Sequence, residues 1–382
     1  MKKELEIYIH IPFCIRKCAY CDFLSGPAAS DTINLYVEKL IKEIKAHGIK
    51  NEDRMVTTIF FGGGTPSILN GSQMQKIMQA LNSAFEIDKN AEISMEANPG
   101  TVTKEKLNAF RAAGINRISF GLQSTNDEEL KLLGRIHTYE EFLESFHMAR
   151  ECGFDNMNVD LISAIPGQTV ESWEESVQKI VSLNPEHISA YSLIIEEGTP
   201  FYEIYGEGMS GEKLLPSEED ERMMYQRTEE LLKQAGYHRY EISNYAKEGK
   251  ECRHNLGYWE RKDYLGIGLG ASSLMENVRF KNTEDLQYYL EHAGELEKIQ
   301  KDREELSRTE QMEEFVFLGM RKMEGISVAK FSDEFEKSLQ ECYGENIARM
   351  EKEGLLEEKN GFLKLTSKGI DVSNYVFAEI LS

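Results

Sequence analysis

Cys14, Cys18 and Cys21 fall within eight residues of the stretch YIHIPFCIRKCAYCDF, which runs from residue 8 to residue 23. Three cysteines fit neither of two common uses, since disulfides pair and structural zinc takes four ligands in a tetrahedron. A four-iron four-sulfur cluster is normally held by one thiolate per iron, so three thiolates leave one iron open to chemistry. A zinc site completed by His10, or three unrelated reduced thiols, are the competing readings of this segment.

Further along, GGGTP at 62 to 66 is either a tight turn or a place where backbone meets a ligand without a Cβ between them. Glu96, Gln123 and Asp160 fall in or at the ends of strand-like stretches, where each is a ligand contact or a satisfied polar group. Arg135 carries a planar fork suited to a carboxylate. His254, Tyr258 and Trp259 sit in RHNLGYW, read from composition as an aromatic loop closing a barrel mouth with His254 hydrogen-bonded to backbone.

The elements that must position these residues alternate. Apolar or alternating stretches at 5 to 11, 57 to 63, 92 to 98, 117 to 123, 156 to 162 and 187 to 195 read as strands. Between them lie helical patterns: one is expected to end on Gly48 as a C-cap, another on Gly114, and a third opens on Thr138 and Glu141 in capping-box spacing and closes at Gly153. Repeated strand-helix units imply parallel strands with right-handed crossovers. Six strands are too few for a closed eight-stranded barrel, so the expected fold is an α/β partial (β/α)6 barrel whose working rim lies at the strands' C-terminal ends. Residues 1–205 are assigned to the barrel and 206–300 to a segment closing it. Residues 301–382 are assigned to a helical, winged-helix-like unit with a hairpin turning at Asn360-Gly361.

Composition narrows the partners. The net charge of −22 argues against a phosphate-binding surface, and so against nucleic acid. No apolar run is long enough to span a membrane, and the opening MKKELEIYIH is too short and acidic for a signal peptide, so a cytoplasmic protein is expected. Peripheral contact with membrane proteins stays open.

The cysteine loop, with Tyr20 before its last cysteine, resembles that of radical S-adenosylmethionine (SAM) proteins. The resemblance implies a 4Fe-4S cluster on Cys14, Cys18 and Cys21 whose open iron takes the amino and carboxylate groups of SAM, cleaving it to a 5′-deoxyadenosyl radical. By order and spacing, Tyr8, Tyr20, Gly63, Gly64, Thr65, Glu96, Gln123, Arg135, Asp160 and Ile194 resemble SAM contacts of oxygen-independent coproporphyrinogen III oxidase. Two departures separate the sequence from that oxidase: Phe23 stands where its loop has a fourth cysteine, and the first strand begins at about Leu5, without the oxidase's N-terminal extension. Both departures, and the H-N-x-x-Y-W motif of His254 to Trp259, are similar to the HemW family of haem chaperones. The resemblance implies haem as cargo, with the His254 imidazole as an axial ligand and the rings of Tyr258 and Trp259 against the porphyrin, and haem proteins, including respiratory ones, as acceptors. Oxidative decarboxylation of a porphyrinogen, or radical chemistry on another tetrapyrrole, is the alternative.

Overall fold

A computed structural model describes residues 2–381. Six parallel strands follow one another in chain order: β1 (Lys3–Ile11), β2 (Arg54–Gly63), β3 (Glu86–Ala97), β4 (Arg117–Gln123), β5 (Met157–Ser163) and β6 (His187–Ser192). Each pairs with the next in parallel register, and helices fill the crossovers. The expected α/β partial barrel is therefore observed.

Its edges are extended by further, shorter strands. On the β6 side lie β7 (His238–Arg239) and β8 (Asn244–Ala246), with β8 antiparallel to β6. On the β1 side, β9 (Tyr264–Ile267) joins parallel, followed by antiparallel β10 (Ser272–Met275), β11 (Val278–Asn282) and β12 (Gln300–Glu305).

Strand alternation divides the barrel into two environments. Leu5, Ile7, Ile9 and Ile11 face outward into the main core with the helices, fully buried. Tyr8, Ser119, Asn158, Asp160 and Ser189 line the inside. Unlike a barrel packed with branched aliphatics, this one is polar within. Such a lining has to be satisfied by hydrogen bonds or by ligands.

Helix ends follow the sequence with one correction. Gly114 caps its helix with φ +109°, and Thr138 and Glu141 form the expected capping box. Gly48, expected as a C-cap, instead lies inside the helix Ser30–Lys50, which ends on Asn51. A Cβ at Gly48 would stand 2.6 Å from both Cβ and the carbonyl oxygen of Ala84, so the glycine is there to let two helices touch. Gly48→Leu is expected to cost about 1–3 kcal/mol through overpacking, read as a lower urea midpoint with unchanged slope.

A buried carboxylate fixes the closing segment. Glu43 accepts from Gly268 N–H at 3.0 Å, Asn282 Nδ2 at 2.7 Å and Tyr289 Oη at 2.5 Å. Beside it, Tyr36 Oη donates to the His10 carbonyl and accepts from Leu269 N–H, which ties the end of β1 to this segment.

The C-terminal part has its own core, from Met312 to Ile380. Leu356–Lys359 and Phe362–Leu365 pair antiparallel about Asn360 (φ +55°) and Gly361 (φ +81°), the two left-handed residues that a tight hairpin turn needs. With the helices Arg308–Gly319, Val328–Phe335 and Leu339–Lys352, this gives the expected helical unit with a wing. Among the described residues no helix is long and apolar enough to cross a membrane.

Candidate functional site

The cysteine loop leaves the C-terminal end of β1 and is clasped at its base: Cys14 N–H donates to the Gly26 carbonyl and Gly26 N–H to that of Pro12, both at 3.0 Å. Ala19 N–H reaches the Leu133 carbonyl at 3.0 Å, so the middle of the loop leans on the segment after β4. Gly64 and Thr65 donate their N–H groups to Ile11 and Phe13. The glycines of GGGTP have a packing role as well as lining a cavity on the rim. A Cβ on Gly63 would lie 2.4 Å from the His10 ring, and one on Gly64 would lie 2.7 Å from the Phe13 carbonyl oxygen. They allow the second strand to press against the root of the cysteine loop.

Cys14, Cys18 and Cys21 line one cavity on the rim, together with Tyr20, Gly63, Gly64, Thr65, Glu96, Gln123, Arg135 and Asp160. Residues scattered across the sequence thus converge where strand C-terminal ends meet. A hydrogen-bonded chain links two of the thiols. Thr65 Oγ1 donates to Cys14 Sγ at 3.4 Å, Asn98 Nδ2 to Thr65 Oγ1 at 2.9 Å, Arg135 Nη2 to Asn98 Oδ1 at 2.8 Å, and Arg135 Nη1 to Cys18 Sγ at 3.4 Å. Arg135 sits in the loop after the helix Asp127–Leu132, and its Nε is enclosed without a partner. Burial pushes the Cys21 thiol above its ordinary value.

Among the described residues no three His, Cys, Asp or Glu side chains converge as ligands of a single metal ion. Zinc would draw its sulfurs in to about 2.3 Å from one centre, whereas a cluster spreads its thiolates over separate irons. His10, the fourth ligand of the zinc reading, is committed elsewhere: its Nδ1 lies 3.0 Å from Tyr8 Oη and its Nε2 3.0 Å from the Leu24 carbonyl. Three thiols on one loop, with no fourth protein ligand beside them among the described residues, fit a cluster with one open iron.

Glu96 accepts from Gly63 N–H at 3.2 Å, and burial together with nearby Asp160 pushes its carboxyl up to about 8. Asp160 accepts from Ser119 Oγ at 3.0 Å and Asn158 Nδ2 at 2.7 Å, and burial raises it too. Tyr8 lies one layer deeper, off the rim cavity. Ile194 is 68% exposed beyond the last residue of β6, because that strand stops at Ser192 instead of running to 195 as expected. Tyr191, near the end of β6, is a rim residue the sequence reading missed, and it donates to Gln123 Oε1 at 3.3 Å. Its place at a strand's C-terminal end is the signal that finds it.

The H-N-x-x-Y-W segment is a short helix, Arg253–Trp259, and it lies below the rim, at the floor of the barrel and not at its mouth. Glu92, well before the end of β3, accepts from the N–H groups of Arg253 at 3.0 Å and His254 at 3.4 Å and so anchors the helix there. Gly257 is required at this point, since a Cβ would fall 2.0 Å from Glu6 Oε1. His254 is 1% exposed; its Nδ1 bonds Thr58 Oγ1 at 2.7 Å and its Nε2 bonds Tyr258 Oη at 3.0 Å, with Phe60 stacked on the ring. Burial and Arg117 hold it neutral, with its titration pushed down to about 3. Trp259 faces away from the lumen into a crevice against Phe315 and Gly319, under Arg321. The structure therefore does not bring His254, Tyr258 and Trp259 to one haem-sized face: side-chain partners hold the histidine, and the tryptophan belongs to the contact with the C-terminal unit.

Comparison with known proteins agrees with this architecture. Residues 8–180 match the model of the radical SAM superfamily, and residues 306–372 that of the HemN C-terminal domain. The solved structure of coproporphyrinogen III oxidase (HemN) from Escherichia coli, a radical SAM enzyme, superposes with a TM-score of 0.86 at 24% identity, covering 100% of this chain and 91% of that one, which establishes the fold. The heme chaperone HemW of Lactococcus lactis is 36% identical over 381 residues, covering 100% of this chain and 98% of its own length. That of Bacillus subtilis is 36% identical, covering 98% of both chains. With its three-cysteine rim, its polar barrel and likeness along its full length, this chain belongs to the HemW family of haem chaperones within the radical SAM superfamily.

Proposed function

We propose that the protein holds a 4Fe-4S cluster on Cys14, Cys18 and Cys21, binds SAM in the rim cavity, and carries haem to haem proteins. The observation that supports this most is the convergence of three thiols with Glu96, Arg135, Gln123 and Asp160 on one cavity of a family member. Glu96 offers a carboxylate for an ammonium, and Arg135, with an unfilled Nε, a fork for a carboxylate. Gly63, Gly64 and Thr65 hold the loop that carries the thiols, and Tyr20 and Gln123 bound the adjoining wall. Cluster and SAM, when bound, supply one-electron cleavage of a sulfonium. Asn98 and Arg135 keep the thiols of Cys14 and Cys18 in register for that site.

Haem does not use the His254 nitrogens in this reading, because iron ligation would require breaking the bonds to Thr58 and Tyr258. A hemin titration of the anaerobically reconstituted protein, followed at the Soret band beside His254→Ala, tests this. The expected result is a saturable band with the same maximum and an affinity within about threefold in both proteins. A shifted or lost band in a folded variant would make His254 a ligand after all. No saturable band in either would remove haem carriage and leave radical chemistry on another substrate.

A further inference from the structure

The rim cavity is not the whole interior. Glu96 and Asp160 line it from above and also line a second chamber beneath, whose floor is His254, Asn255 and Tyr258. Arg117, the first residue of β4, projects into this lower chamber. It is 2% exposed, its Nε is enclosed without a partner, and among the described residues no hydrogen bond or ion pair engages its guanidinium.

The carboxylates around it are occupied with other donors. Glu92 accepts from the N–H groups of Arg253 and His254 and from the Cys252 thiol. Asp160 accepts from Ser119 and Asn158, and Glu96 from Gly63. A guanidinium cannot shed its proton, and although Glu92 and Asp160 offset the burial of this charge, no acceptor fills its fork, whose buried N–H groups are unfavourable until one does. The planar fork matches a carboxylate in two parallel hydrogen bonds. Ser119, Asn158, Ser189 and Asn255 surround it with neutral donors and acceptors, and no second cation lines the chamber. With acidic groups overhead, such a wall suits a singly charged anion and disfavours a dianion such as phosphate.

We propose that the chamber beneath the rim binds an aliphatic carboxylate, paired with the Arg117 guanidinium. Two sources share that chemistry: a carboxylate arm of a larger ligand lowered from the rim cavity, such as a porphyrin propionate, or a free small carboxylate. The proposal stands whether or not the protein carries haem.

Titration of the full chain, before and after anaerobic cluster reconstitution, with [1-13C]propionate followed by carbon NMR is the test. Saturable binding is expected in the wild type, weakened at least about tenfold in Arg117→Gln and partly kept in Arg117→Lys. Displacement of propionate by hemin, but not by its dimethyl ester, assigns the site to a porphyrin arm; no displacement by hemin assigns it to a free carboxylate. Propionate binding that does not saturate, or that is equal in wild type and Arg117→Gln, overturns the proposal, and does so even if hemin binds well. Should Arg117→Gln fail to fold by circular dichroism, wild-type crystals soaked in 3-(methylseleno)propionate answer the same question. Anomalous selenium signal beside Arg117 supports the site, and its absence from the chamber overturns it.

Discussion

Cys18→Ala is expected to lose the cluster entirely while the barrel stays folded. Wild-type protein, reconstituted anaerobically, should bind about four iron and four sulfide per chain; the variant should retain less than about a tenth of that and show no cluster absorption. The fold should survive because the thiol lies outside the apolar cores, its described contact being the 3.4 Å bond from Arg135. The core behind the sheet is built from outward-facing strand residues such as Ile7, Ile9, Ile118 and Phe120 and from the helices over them. The unfolding midpoint of the cluster-free variant should lie within a few degrees of that of cluster-free wild type. A variant that is globally unfolded would mean that the loop is part of the folding unit, and one that keeps its full iron would remove Cys18 from the ligand set.

SAM affinity should climb with pH and stop doing so in Glu96→Gln. Burial first, then Asp160, push the Glu96 carboxyl up to about 8, so at neutral pH the empty site is largely protonated. A ligand ammonium binds the ionised form and must expel that proton. Each unit below pH 8 should therefore weaken binding about tenfold, and above it the ligand's own amine deprotonates, so affinity should peak near pH 8. Glu96→Gln should give a flat profile below pH 8, at least about tenfold weaker at pH 8, by calorimetry on the reconstituted protein. Stability of the ligand-free protein should move in the opposite sense. A carboxyl whose folded value is raised favours the folded state below its ordinary range near 4.5 and loses that contribution as pH rises through about 8. Glu96→Gln should accordingly unfold at a higher urea midpoint than wild type above pH 8. A pH-independent wild-type affinity would place the ammonium contact on another group.

What the sequence determined by itself follows from local physics. The three cysteines share one loop because they lie within eight residues of one another. The strands β1 to β6 announce themselves by apolar alternation, the capping box at Thr138 and Glu141 sets a helix start, and Asn360-Gly361 supplies the left-handed turn of the terminal hairpin. Each depends on contacts a few residues apart, which a linear reading can see.

What only the tertiary structure decided depends on what lies opposite. Gly48 reads as a helix stop and is instead a helix-helix contact, because Ala84 fills the space a Cβ would need. The glycines of GGGTP read as a turn or a ligand approach, and only the fold shows that they also admit His10 and the root of the cysteine loop. His254, Tyr258 and Trp259 are near neighbours in sequence, yet the helix they form turns the histidine and tyrosine into the barrel and the tryptophan toward the C-terminal unit. Nothing in the sequence singles out Arg117, and its lack of a hydrogen-bond acceptor appears only once β3, β5 and the floor helix have closed around it. Periodicity tells which way a side chain points, while the surface it meets is supplied by residues far along the chain.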